Sequence, residues 1–231
     1  MIPKIIHQTW KTNEIPAKWI PYVKKVQELN PDWEYKLWTD VDNEDFVKSE
    51  YPEFYDIFMG FSRGIMRADV IRYLIMNKIG GVYLDLDYEV LQPFNFGDNK
   101  LILPLCRSIK DGDENDELGN CIFASEPGHQ FWKDVIIDLK ENPPIVTDYT
   151  QVIEATGPKF LSKIYNIKEY KDVSFPDRLI YHPPYSNSKK GIEKIKNNGI
   201  SLGIHHTTGG WKERWTLAYL KQQLKKIFKN K

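Results

Sequence analysis

Only two cysteines, Cys106 and Cys121, occur in 231 residues, and they form neither a CxxC pair nor a metal-binding spacing. A disulfide framework is thereby excluded as the organising device, and a reducing, cytoplasmic compartment is the expectation. Charge of one sign is missing as well: 32 Lys and Arg stand against 32 Asp and Glu, so no global basic field would draw the chain onto nucleic acid. No apolar run approaches the ~20 residues needed to cross a bilayer, and the opening "MIPKIIHQTW" lacks the basic start and apolar stretch of a secretory signal. Internal repeats are absent too, which leaves a single globular domain as the expectation.

What is present suits that reading. A hydrophobic content of 41%, with 13% aromatic residues, can fill a sizeable core at this length. "KIIHQTW" and "EYKLW" predict strands on either side of a helix in "AKWIPYVKKVQELN" that ends before Pro31. "SRGIMRADVIRYLIMNKIGG" predicts a longer helix stopped at Gly80-Gly81, with "VYLDLD" as the next strand. Further strands are expected at "KLILPL", "NCIFAS", "DRLIYH" and "ISLGIHH", and helices at "GHQFWKDVIIDLKEN" and "GPKFLSKIYN". "RSIKDGDENDELG" and "PPYSNSKKG" read as mobile surface loops. Such alternation predicts an α/β fold with a mainly parallel central sheet flanked by helices. Residues 217–231 are apolar at helical spacing with only lysines as charges. They predict a basic amphipathic helix, either packed on the domain or lying on an anionic membrane surface.

Asp85 and Asp87 interrupt this apolar pattern. In a strand they would point to one side, with Leu84 and Leu86 on the other. Two buried carboxylates without a partner would cost several kcal/mol or take up protons, and a divalent cation is the simplest partner for adjacent hard oxygens. Mn²⁺ or Mg²⁺ bound there would leave positions for phosphate oxygens and stabilise a departing diphosphate.

"RADVIRYLIMNKIGGVYLDLD" resembles the signature segment of glycosyltransferase family 32, and "IPKIIHQTW" and "IHHTTGGW" resemble two further markers of that family in the same order. The family includes the yeast initiating α-1,6-mannosyltransferase and bacterial capsular and lipopolysaccharide enzymes, and it is related to the glucosyltransferase domains of large clostridial toxins. The resemblance implies a GT-A fold over residues 1–216, a nucleotide-sugar donor, a Mn²⁺ or Mg²⁺ ion and transfer with retention. It implies that Asp85 and Asp87 hold the metal, Asp85 also reaching the donor's ribose, and that Asp69 and Arg72 hold the donor sugar. Asp69 and Arg72 stand at i and i+3 on one helix face, where an ordinary ion pair is the other reading. His205, with His206 second, is implied as metal or diphosphate ligand.

By the same resemblance His7, Gln8, Thr9 and Trp10 lie at the base-binding end, although Trp10 reads equally as core. Asn120 and Thr156-Gly157-Pro158 are implied on the sugar and acceptor side. Gly210 stands before Trp211 where the family commonly has serine, leaving only its backbone N–H for the diphosphate. A UDP-sugar donor and a glycan or lipid-linked glycan acceptor of surface polysaccharide synthesis are the expectation. Two other readings stay open: "VYLDLDYEV" also resembles the aspartate loop of haloacid dehalogenase phosphatases, and the fold could bind sugar nucleotides without turnover.

Overall fold

The computed structural model describes residues 1–167, 169–184 and 188–207. Gly210, Trp211 and the expected helix over 217–231 lie outside them. The first half of the chain runs β1 (Ile5–Thr9), α1 (Ile20–Leu29), β2 (Glu34–Trp38), α2 (Asp40–Glu50), α3 (Tyr55–Gly60), α4 (Gly64–Lys78), β3 (Gly81–Leu84) and β4 (Tyr88–Val90). It continues with β5 (Leu101–Ile102), β6 (Leu105–Arg107), β7 (Glu117–Leu118), β8 (Ile122–Ser125), α5 (Gln130–Glu141), α6 (Val152–Ala155) and α7 (Pro158–Ile167). After these come β9 (Val173–Ser174), α8 (Arg178–Tyr181), α9 (Lys189–Lys196) and β10 (Gly203–His205).

Six strands form the central sheet in the order β2-β1-β3-β8-β5-β9. The β1–β2, β1–β3 and β5–β9 pairs are parallel, and β8 runs against both of its neighbours. Alternation along β3 divides the core: Tyr83 joins α4, α5 and α7 on one face, while Val82 and Leu84 pack with Val26 of α1 on the other. Helix α4 is buried on nearly all sides from Met66 to Met76, so its apolar residues form no single stripe. It ends where Gly80 turns left-handed at φ 71° and its N–H bonds the Ile75 and Met76 carbonyls. A Cβ on Gly80 would sit 2.6 Å from the Ser125 carbonyl oxygen, and one on Gly81 2.5 Å from that of Ile5. The helix can therefore enter the sheet this tightly only through glycine.

The structure corrects three local expectations. "DRLIYH" forms helix α8, because Asp177 accepts from Leu179 N–H and caps it. Strand β3 stops at Leu84, so Asp85 to Asp87 form a turn, closed by Tyr88 N–H on the Asp85 carbonyl at 3.0 Å. "RSIKDGDENDELG" is not a plain surface loop, since β7 pairs with β6 and Glu117, Leu118 and Ser108 are buried. No helix among the described residues is long and apolar enough to cross a membrane.

Candidate active site

Leu86 is buried with Trp19 and Val23 of α1, and this anchor fixes the turn that carries Asp85 and Asp87 on either side of it. Antiparallel pairing of β4 with β10 sets His205 opposite Tyr88, one residue after Asp87. His205 Nε2 lies 3.2 Å from Asp87 Oδ1 and 3.9 Å from Asp85 Oδ2. One oxygen of Asp85 is committed elsewhere: its Oδ1 accepts from Arg72 Nη1 at 3.0 Å and from the Tyr83 hydroxyl at 2.9 Å. Its Oδ2 is left on the His205 side.

Helix α4 supplies the counter-charge. Arg72 Nη1 also donates to the Asn120 carbonyl at 2.5 Å, and Nη2 lies 3.3 Å from Asp69 Oδ1. Asp69 is 3% exposed, and its two oxygens accept from Asn120 Nδ2 and Thr156 Oγ1, each at 3.0 Å. Burial raises the Asp69 carboxyl to about 7, against the pull of Arg72. Asp85 is also raised by burial, with Arg72 opposing and Asp87 reinforcing. Burial by itself would lower His205, but Cys121 and Asp87 beside it hold the imidazole well above its ordinary range.

The N-terminal quartet supports this centre from below. His7 is fully buried; its Nδ1 accepts from Trp38 Nε1 at 3.0 Å and its Nε2–H donates to the Gly80 carbonyl at 2.9 Å, so both ring nitrogens are satisfied within the core. Gln8 Nε2 donates to the Asp85 carbonyl at 3.3 Å and its Oε1 accepts from the Tyr35 hydroxyl. Thr9 Oγ1 lies 3.1 Å from the Tyr83 hydroxyl. Since that hydroxyl donates to Asp85, Thr9 donates to it. Trp10 is half-buried, edge-on to Trp19 at 4.9 Å and packed beside Leu86.

The remaining candidates divide. Asn120 and Pro158 line a cavity of about 480 Å³ with Arg178, His182 and His205. Thr156 is fully buried and serves Asp69, while Gly157 allows α7 to approach α6, where a Cβ would come 2.9 Å from Ile153 Cα. The His206 imidazole is not brought to the aspartate carboxylates, although its backbone N–H donates to the Asp87 carbonyl at 2.9 Å: its Nε2 lies 3.1 Å from Glu89 Oε2 and its ring stacks on Tyr22. Glu89 also receives Lys25 and Lys196; burial would raise it, but these three partners bring it down to about 2.

Among the described residues, Asp85, Asp87 and His205 form a grouping whose ligand atoms lie within 4.8 Å of one another. Two carboxylates and an imidazole fit a divalent cation of the Mn²⁺ or Mg²⁺ type, which would take the place of the proton on His205 as the positive charge facing Asp85 and Asp87. Tyr83, Cys121 and His182 belong to the same neighbourhood although the motifs do not single them out. Tyr83 was readable from strand alternation, two residues before Asp85; Cys121 and His182 carried no local signal.

Residues 16–103 match the model of the glycosyltransferase sugar-binding region containing the DXD motif. The chain is 40% identical over 174 residues to the mannosyl phosphorylinositol ceramide synthase CSH1 of Saccharomyces cerevisiae, covering 74% of this chain and 44% of that protein. It is 41% identical over 176 residues to inositol phosphoceramide mannosyltransferase 3 of Schizosaccharomyces pombe, covering 71% and 45%. The chain thus spans less than half the length of these curated relatives. In fold it resembles the ligand-free glycosyltransferase domain of the YGT toxin, with a TM-score of 0.57, 10% identity and coverage of 76% of this chain and 80% of that one. The matched segment carries both Asp69-Arg72 and Asp85-Asp87, so the chain resembles the DXD-containing glycosyltransferases in sequence and a glycosyltransferase domain in fold.

Proposed function

We propose that this domain transfers a mannosyl group, with retention, from a nucleoside-diphosphate mannose to a hydroxyl of a glycolipid. The convergence of Asp85, Asp87 and His205 beside the Arg72–Asp69 pair carries the reading. The relatives' names supply the sugar and the acceptor class, an inositol phosphoceramide. The UDP-sugar expected from the sequence becomes the competing arm of the same test.

Asp85 Oδ2, Asp87 and His205 Nε2 would hold Mn²⁺ or Mg²⁺. When bound, such an ion stabilises the negative charge that develops on the departing diphosphate. Asp69 keeps lone pairs to accept from sugar hydroxyls, and Arg72 fixes its carboxylate and that of Asp85 in one arrangement. Both carboxylates are already hydrogen-bonded, which disfavours either as a covalent nucleophile. Retention then calls for the acceptor hydroxyl to attack on the face from which the diphosphate leaves. The phosphatase reading needs Asp85 as the attacking group, and the clamp of Arg72 and Tyr83 on its Oδ1 weighs against it.

The test is a screen of GDP-mannose and a panel of UDP-sugars with Mn²⁺ or Mg²⁺, reading released nucleotide, with Asp87→Ala alongside and circular dichroism to verify folding. Metal-dependent cleavage of GDP-mannose, lost in the folded variant, is expected. Cleavage of a UDP-sugar alone would reassign the donor, phosphate release from monoesters alone would favour the phosphatase, and binding without turnover would favour a binding module.

A further inference from the structure

The DXD chemistry leaves Cys121 and His182 without a task, yet both converge on His205. Cys121 Sγ lies 3.4 Å from His182 Nε2, and the ligand atoms of Cys121, His182 and His205 all fall within 4.8 Å of one another. Sulfur and nitrogen ligands at the usual ~2.3 and ~2.0 Å from a tetrahedral zinc are about 3.5 Å apart. The observed Cys121–His182 separation already matches one edge of such a tetrahedron.

The pocket is built around these groups. Cys121 is buried at the start of β8, and His182 follows α8, whose capped turn brings its ring against Gly119. A Cβ at Gly119 would stand 2.5 Å from His182 Nε2, so only glycine leaves room for the imidazole in this position. The ~480 Å³ cavity opens on all three residues, giving an ion a path in and room for a fourth ligand such as water. The other cysteine is not part of this grouping: Cys106 Sγ bonds the Leu118 carbonyl.

We propose that Cys121, His182 and His205 form a second metal site, selective for a soft divalent ion such as Zn²⁺, which competes with the DXD site for His205. A thiolate with two imidazoles favours zinc, whereas two carboxylates with one imidazole favour manganese or magnesium. Binding forms one Zn–S and two Zn–N bonds and releases to solvent the Cys121 thiol proton together with the extra proton of a charged His205. Both groupings draw on the one His205 ring, and a neutral imidazole has one nitrogen free to ligate while the other carries its proton, so the ring serves one ion at a time. This consequence for turnover rests on the proposed role of Asp85 and Asp87; the zinc site itself does not.

Cobalt(II) is the probe for the site, titrated into the 231-residue chain under reducing conditions. The wild type should develop a thiolate-to-cobalt charge-transfer band that stoichiometric Zn²⁺ abolishes. Cys121→Ser should lose the band. His182→Gln, which keeps the thiol and serves where the serine variant fails to fold, should weaken cobalt binding by at least the ~10–100-fold that loss of an outer partner costs a metal site. Asp87→Ala should retain the band. Absence of the band in the wild type, its survival in Cys121→Ser, or undiminished affinity in His182→Gln would overturn the site. In the transfer assay Zn²⁺ should inhibit and excess Mn²⁺ relieve. A cobalt band without any transferase activity would leave the zinc site standing and count against the proposed function alone, while a band with Zn²⁺-insensitive turnover would overturn the competition.

Discussion

At the residue scale the site depends on one guanidinium. Arg72 is 4% exposed, bonds Ala68, Asn120, Asp69 and Asp85, and lies over the Tyr83 ring at 4.5 Å. Its planar fork serves these acceptors together, which a lysine ammonium on a flexible stem cannot do. Arg72→Met would leave the buried Asp69 and the half-buried Asp85 without their cation, and a loss of about 3–5 kcal/mol is expected in urea denaturation. Arg72→Lys should recover part of that stability but not the activity, because the charge returns and the geometry does not. An arginine variant with wild-type turnover would remove Arg72 from the site. The i, i+3 spacing of Asp69 and Arg72 made their contact legible from the sequence, and alternation made Tyr83 so. Nothing local announces that Asn120 and Thr156 complete the carboxylate's hydrogen bonds from 51 and 87 residues away.

At the element scale, the junction of β1, β2, α4 and β3 is pinned by His7. Burial lowers this imidazole to about 4 from its ordinary 6.5, the Gly80 hydrogen bond opposing only in part. The folded state thus binds the proton less readily than the unfolded chain. The contribution of neutral His7 is full above pH 6.5 and is lost as pH falls toward 4, by roughly 3 kcal/mol. Glutamine offers one donor and one acceptor without titrating. His7→Gln should therefore lower Tm at pH 7 yet show a shallower fall of Tm between pH 6.5 and 4 in calorimetry. A slope equal to wild type would mean that other groups carry the acid sensitivity.

Elements differ in how plainly the sequence announces them. Helices α1, α5 and α7 follow their apolar spacing; α1 and α5 end at Asn30 and Asn142, and α4 at Gly80. Helix α2 buries only Asn43 and Val47, so its periodicity is faint, and its signature is the reciprocal capping of Thr39 and Asp42. In α8, β-branched and aromatic residues favoured a strand, and the Asp177 cap prevailed over that propensity.

At the scale of the whole molecule, the candidate ligands are gathered from α4, the β3–β4 turn, the start of β8 and β10, so no single element can hold a donor. The two large core clusters meet across the central sheet, with Tyr83 on one face and Leu84 on the other, and Asp85 follows directly where they join. A ligand that bridges these segments binds the folded chain and not the unfolded one, and it should stabilise the entire domain. At a hundredfold excess over its dissociation constant the gain is about 2.7 kcal/mol. For a domain of this size that corresponds to roughly 5–10 °C in Tm. Mn²⁺ with a nucleoside diphosphate should raise Tm by this amount, each component alone by much less, and chelation should reverse it. Asp87→Ala should lose the joint effect if, as proposed, the ion couples the diphosphate to the turn. An undiminished shift in that variant would mean that the nucleotide binds without the DXD turn, and would separate donor binding from the metal role assigned to Asp87.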